Sequence, residues 1–87
     1  MSIRLYKWTV NGTGSDNTWS VQGETKASPS EFPQLFDRIM REVFTRLTQG
    51  KAIYGQPGVG GCRGPYDVIS ILIIREASVL DGSEPLN

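Results

Sequence analysis

The chain has 87 residues, which suits one domain, and folding at that length buries only about 60–65% of the surface the unfolded chain exposes. Nine basic and nine acidic residues cancel, which removes the charge excess that sequence-independent phosphate binding needs. The absence of histidine excludes Ser-His and Cys-His catalysis and imidazole metal sites within one chain.

Cys62 is the single cysteine, so neither an internal disulfide nor a thiolate metal cluster can staple the fold, and a reducing, cytoplasmic setting is expected. Arg4 and Lys7 interrupt the first apolar segment, which therefore lacks the continuous core of a secretion signal. No apolar run is long enough to span a bilayer, so no membrane partner is expected. An unstapled chain of this length has an expected stability of roughly 4–13 kcal/mol, and burying further apolar surface against a partner would add to it.

Ile3–Val10 alternates as a strand does, with Arg4, Tyr6, Trp8 and Val10 on one face and Ile3, Leu5, Lys7 and Thr9 on the other. Asn11–Asn17 is polar and contains glycine, and Asn11-Gly12-Thr13, which matches a glycosylation acceptor, is read as turn chemistry. Thr18–Lys26 resumes a strand pattern through Trp19 and Val21, predicting a hairpin with a long loop.

Ser28-Pro29-Ser30-Glu31 has the form of a helix start, with a serine cap, proline in the first turn and a glutamate three residues on. Pro33 restricts Phe32, so the regular helix is expected to begin between Ser30 and Pro33. Phe32, Leu35, Phe36, Ile39, Met40, Val43, Phe44 and Leu47 then keep a three-four spacing up to Gly50, which suits a left-handed C-terminal cap. These side chains span an arc of about 180°, wider than the roughly 100° that packing on one surface requires, so the edges of the arc are expected to touch something besides the sheet. The opposite face carries Asp37 with Arg41 and Glu42 with Arg46 at the favourable four-residue spacing.

Lys51–Tyr66 is a glycine-rich connection, and Val68–Ile74 is an almost unbroken β-branched and leucine run, as expected of a strand covered on both faces. Residues 1–78 are read as one domain and residues 79–87, poor in apolar groups, as a flexible tail.

Four constellations bear on chemistry. The loop Gly55–Gly64 offers backbone amides and Arg63 to an anion, but it lacks a Gly-Lys-Ser/Thr ending and leads from a helix into a strand, the reverse of a phosphate loop. Cys62 beside Arg63 stands in an electropositive, open setting of the kind that lowers a thiol pKa, but with no histidine to act as its base an incidental thiol is the simpler reading. Tyr66-Asp67 precedes the last strand and supplies the one carboxylate next to the glycine loop, with a turn-ordering role as its simpler reading. Arg4, Tyr6 and Trp8 would form a stacking platform for exposed bases if their face is open, with core or subunit packing as the simpler reading.

The elements predict an α+β fold of ββαβ order: a three-stranded, mainly antiparallel sheet with one long amphipathic helix on one face. One helix shelters one side only, so a monomer is expected to leave an apolar patch of several hundred Å² of the kind that marks interaction sites. A homo-oligomer, a two-fold dimer first, is the expected solution. The leading expectation is a non-enzymatic protein-binding module without a cofactor. Its candidate interaction residues are Tyr6, Trp8, Val10, Leu72 and Ile74 on the sheet, with Gly58, Gly60, Gly61, Cys62 and Arg63 in the loop. A nucleic-acid-binding module using Arg4, Tyr6, Trp8 and the helix arginines is second, and a small enzyme using Cys62 or Asp67 third.

Overall fold

A computed structural model describes residues 3–56 and 61–76. The elements are β1 (Arg4–Thr13), β2 (Thr18–Ala27), a 3-10 turn (Pro29–Glu31), α1 (Phe32–Thr48), β3 (Ile53–Tyr54) and β4 (Asp67–Arg75). The class is the expected α+β, with one helix packed on an antiparallel sheet. The sheet, however, has four strands in the order β3-β2-β1-β4, every neighbouring pair antiparallel. The extra strand is two residues long, within the glycine-rich connection, and pairs Ile53 with Ser20 and Tyr54 with Trp19. So short a segment has no period for a sequence pattern to register.

β1 and β2 form a ten-residue ladder from Arg4 opposite Ala27 to Thr13 opposite Thr18. β1 therefore runs three residues beyond the expected end at Val10, and Asn11-Gly12-Thr13 belongs to a strand rather than a turn. Gly12 is what permits this: the Trp19 indole occupies the space above it, and the indole nitrogen donates to the Thr13 carbonyl oxygen at 3.0 Å. At the other side of β1, β4 runs from Arg75 opposite Tyr6 to Asp67 opposite Thr13, with a register shift between Asn11 and Gly12 that leaves Ile69 as an extra residue.

The Ser28 amide donates to Glu31 Oε1 at 2.9 Å, which orders the turn before α1 as the Ser-x-x-Glu pattern predicts. The helix ends on Gly50, with φ 70°. Gly50 N donates to the Leu47 carbonyl (3.2 Å) and Lys51 N to the Arg46 carbonyl (2.8 Å), the paired bonds of a Schellman cap.

Tyr6, Trp8, Val10, Trp19, Val21 and Ala27 from the sheet meet Leu35, Ile39, Val43 and Leu47 from the helix in one core. Packing selects the even-numbered residues of β1, because Trp8 and Val10 fill the space beneath α1 while Lys7, Thr9 and Asn11 point away. The opposite side of the two central strands is largely polar, with Thr9, Asn11, Ser20, Gln22 and Glu24 along it. The expected greasy second face is therefore confined to β4 and its surroundings. None of the described helices is long and apolar enough to cross a membrane.

Candidate functional site

The eight apolar positions of α1 divide into two ridges at four-residue spacing. Leu35, Ile39, Val43 and Leu47 are buried. Phe32, Phe36 and Phe44 are about half exposed, at 52%, 54% and 42%, with Met40 partly buried between them. A third row, Arg38, Glu42 and Arg46, flanks the buried ridge on its other side.

Contacts fix which way each flank faces. Arg38 and Arg46 donate to the carbonyl oxygens of Lys26 (3.4 Å) and Gln22 (2.6 Å), so this row hangs over β2. Phe32 lies 5.8 Å, centroid to centroid, from Tyr6 and lines a cavity of about 500 Å³ with Ile73 and Arg75. Phe44 lies 6.3 Å from Tyr66, the residue before β4. The phenylalanine ridge therefore overhangs β4, and α1 runs antiparallel to it.

β4 itself is open. Leu72 and Ile74, on the side away from the helix, are 58% and 50% exposed, and Ile69 is 68% exposed. Ile71 and Ile73 are only partly buried on the helix side. Four strands span about 14 Å between the outermost backbones and a helix is about 10–12 Å across, so α1, seated over β1 and β2, covers β4 only in part. Among the described residues nothing pairs with the outer edge of β4. The expectation that its strand is sheltered on both faces is thus corrected: it is an edge strand, and Val68, Ile69, Leu72 and Ile74 of its apolar run are exposed.

The candidate interaction residues fall into three groups. Leu72 and Ile74 are exposed as a partner surface requires. Tyr6, Trp8 and Val10 are corrected to core, because α1 covers their face; Trp8 is 3% exposed. The Trp8 indole nitrogen donates to Thr25 Oγ1 at 3.0 Å, and the Arg46 guanidinium stands 6.0 Å from its ring. The Arg4/Tyr6/Trp8 face is therefore closed as a stacking platform. The helix arginines are also engaged: Arg38 with Glu31 (3.1 Å), Arg41 with Asp37 (3.0 Å) and Arg46 with Glu42 (2.9 Å).

The third group is the glycine loop, of which Gly58 and Gly60 lie outside the described residues. Gly61, Cys62 and Arg63 are held against the β1–β2 hairpin loop. Asn17, buried, donates from Nδ2 to the carbonyl oxygens of Gly61 (2.9 Å) and Gln56 (3.3 Å), and its Oδ1 accepts from the amides of Thr18 (2.8 Å) and Gln56 (3.1 Å). Arg63 N donates to Asp16 Oδ1 at 2.9 Å, and Ser15 N donates to the Arg63 carbonyl at 2.9 Å.

This docking reverses the expectation for Cys62. Burial and the nearby Asp16 carboxylate push its thiol above the ordinary value, and the thiol donates to the Asn17 carbonyl oxygen at 3.4 Å. Asp67, exposed at the start of β4, opposes Thr13 in the ladder. Among the described residues there is no group of His, Cys, Asp and Glu arranged to hold a metal ion.

Sequence reasoning missed Phe32, Phe36 and Phe44 as surface residues, although the excess width of the apolar arc was their signal. It also missed Asn17, a single polar residue in a loop, whose importance comes only from chain brought to it from about forty residues away. No protein-family model, curated protein or solved structure matches the chain.

Proposed function

We propose that the chain is a non-enzymatic protein-interaction module that works as a homo-oligomer, with a dimer as its basic unit, in the reducing cytoplasm that a lone thiol suits. The observation that carries this reading is the continuous apolar flank made by the phenylalanine ridge of α1 and the open strand β4. Seven of the nine exposed large apolar side chains among the described residues lie on that flank, Phe32, Phe36 and Phe44 on α1 and Val68, Ile69, Leu72 and Ile74 on β4, a concentration of the kind that marks interaction sites. Phenylalanine is also a residue type enriched in such interfaces.

Sedimentation velocity over a range of protein concentration tests the reading. The expected result is a species of twice the chain mass that dissociates on dilution, and that Phe36→Asp shifts to monomer without changing the far-ultraviolet circular dichroism. A wild-type chain that stays monomeric at every concentration overturns it.

A further inference from the structure

We infer that the partner at this flank is a second copy joined edge to edge, β4 antiparallel to β4, so that two four-stranded sheets become one eight-stranded sheet with both helices on the same side. This rests on the homo-oligomeric reading above and specifies its geometry. Three observations carry it.

The first is where apolar surface lies. A face-to-face sandwich would bury the polar side of β1 and β2, including Lys7 and Glu24, whereas edge pairing covers only the part of the molecule that is apolar. Long exposed edges are usually guarded by lysine, proline or short length. β4 is nine residues long and, apart from its bulge, carries no such guard between its charged ends.

The second is charge. β4 begins with Asp67 and ends with Arg75, both exposed and neither in an ion pair among the described residues. A two-fold axis near Ile71 brings the Asp67 end of each strand to the Arg75 end of the copy, giving one pair of opposite charges at each end. A parallel alignment sets like charges together. The extra residue at Ile69 turns Asp67 to the face away from α1 while Arg75 shares the face of Tyr6, so the opposite charges attract across the strand ends rather than as neighbours on one face.

The third is the ridge. Phe32 sits by Ile73 and Arg75, and Phe44 by Tyr66. The same axis therefore sets Phe32 across from Phe44 of the copy and Phe36 across from its Met40. The ridge and the strand share one centre of symmetry, as an interface that uses the same patch on both subunits requires.

Two single charge reversals, Asp67→Arg and Arg75→Asp, test the geometry. Each is expected to weaken self-association by about tenfold at low salt, since each turns two attractive contacts repulsive. Mixing the two variants restores attraction at both ends, so native mass spectrometry should show mixed dimers well above the statistical fraction, and the double variant should self-associate like wild type. Circular dichroism of each variant verifies folding. Amide hydrogen exchange supplies a measurement without substitutions: alternate β4 amides gain protection at high concentration and lose it on dilution. A wild-type dimer indifferent to both reversals, with statistical mixing and β4 amides unchanged by dilution, overturns edge pairing while the homo-oligomeric reading stands. A wild-type monomer overturns both.

Discussion

Trp8 lies across the β1–β2 ladder from Gly23, and its indole fills the place a side chain on that glycine would take: a Cβ at Gly23 would stand 2.8 Å from Cη2 of the ring. The same exchange occurs in reverse four residues along the ladder, where Trp19 of β2 covers Gly12 of β1 and a Cβ would stand 2.6 Å from Cε2. Each strand thus contributes one large indole and one vacancy. The two tryptophans lie flat across the sheet instead of standing up into α1, which lets the helix approach with Leu35, Ile39 and Val43 fully buried.

Alanine at either glycine is therefore expected to destabilise the fold by about 1–3 kcal/mol, the usual penalty of overpacking. Gly12→Ala is the worse of the two, because its methyl also meets the backbone carbonyl oxygen of Asp67, which cannot rotate away as a ring can. Urea denaturation followed by tryptophan fluorescence checks the order; equal midpoints for the two variants would contradict it.

Asn17 binds the loop that connects β3 to β4 to the β1–β2 hairpin through three hydrogen bonds, two donated and one accepted, and accepts a fourth from the Thr18 amide within the hairpin. Asn17→Ala is expected to cost about 1–3 kcal/mol through buried backbone groups left without partners. Amide exchange at Gln56 and Thr18 should accelerate while the Val10 and Val21 amides keep their protection. Asn17→Asp is expected to be as damaging at neutral pH, since a carboxylate cannot donate to the carbonyls of Gln56 and Gly61, and milder in acid.

The Glu31 carboxylate accepts from the Ser28 amide and hydroxyl and from Arg38, which hold it below the ordinary value of 4.5. A depressed folded-state value means that ionised Glu31 stabilises the fold above the unfolded-state value, and that this contribution disappears as pH falls through the folded-state value. The stability difference between wild type and Glu31→Gln is thus expected to be constant from pH 6 to 8 and to shrink as pH is lowered below about 4.5. Thermal melts across that range measure it; a difference that grows in acid would reverse the sign assigned here.

Cys62 is expected to alkylate with a pH midpoint above that of a free cysteine, because burial and Asp16 both oppose the thiolate. Asp16→Asn removes the charge, and with it part of the shift, so its midpoint should fall. A wild-type midpoint below that of free cysteine would mark an activated thiol and reopen the enzyme reading.

Much of this architecture was legible in the residues alone. The helix, its Ser28–Glu31 start and its Gly50 cap follow from local chemistry, since caps and three-four spacing act within a few residues. The strand alternation of β1 and β2 and the apolar run of β4 are local in the same sense, and so is the surplus of apolar surface over what one helix shelters.

Which surface stays exposed is decided by tertiary structure. Ile3–Val10 offers apolar groups on both faces, and only the seating of α1 over β1 and β2 commits Tyr6, Trp8 and Val10 to the core. The same placement leaves β4 at the edge and turns Phe32, Phe36 and Phe44 outward. Side-chain period reports which residues share a face, but strand order and helix position depend on contacts between segments far apart in the chain, such as Thr9 with Leu72 or Asn17 with Gly61. Those long-range pairings are energetic choices of the whole molecule, and no window of sequence contains them.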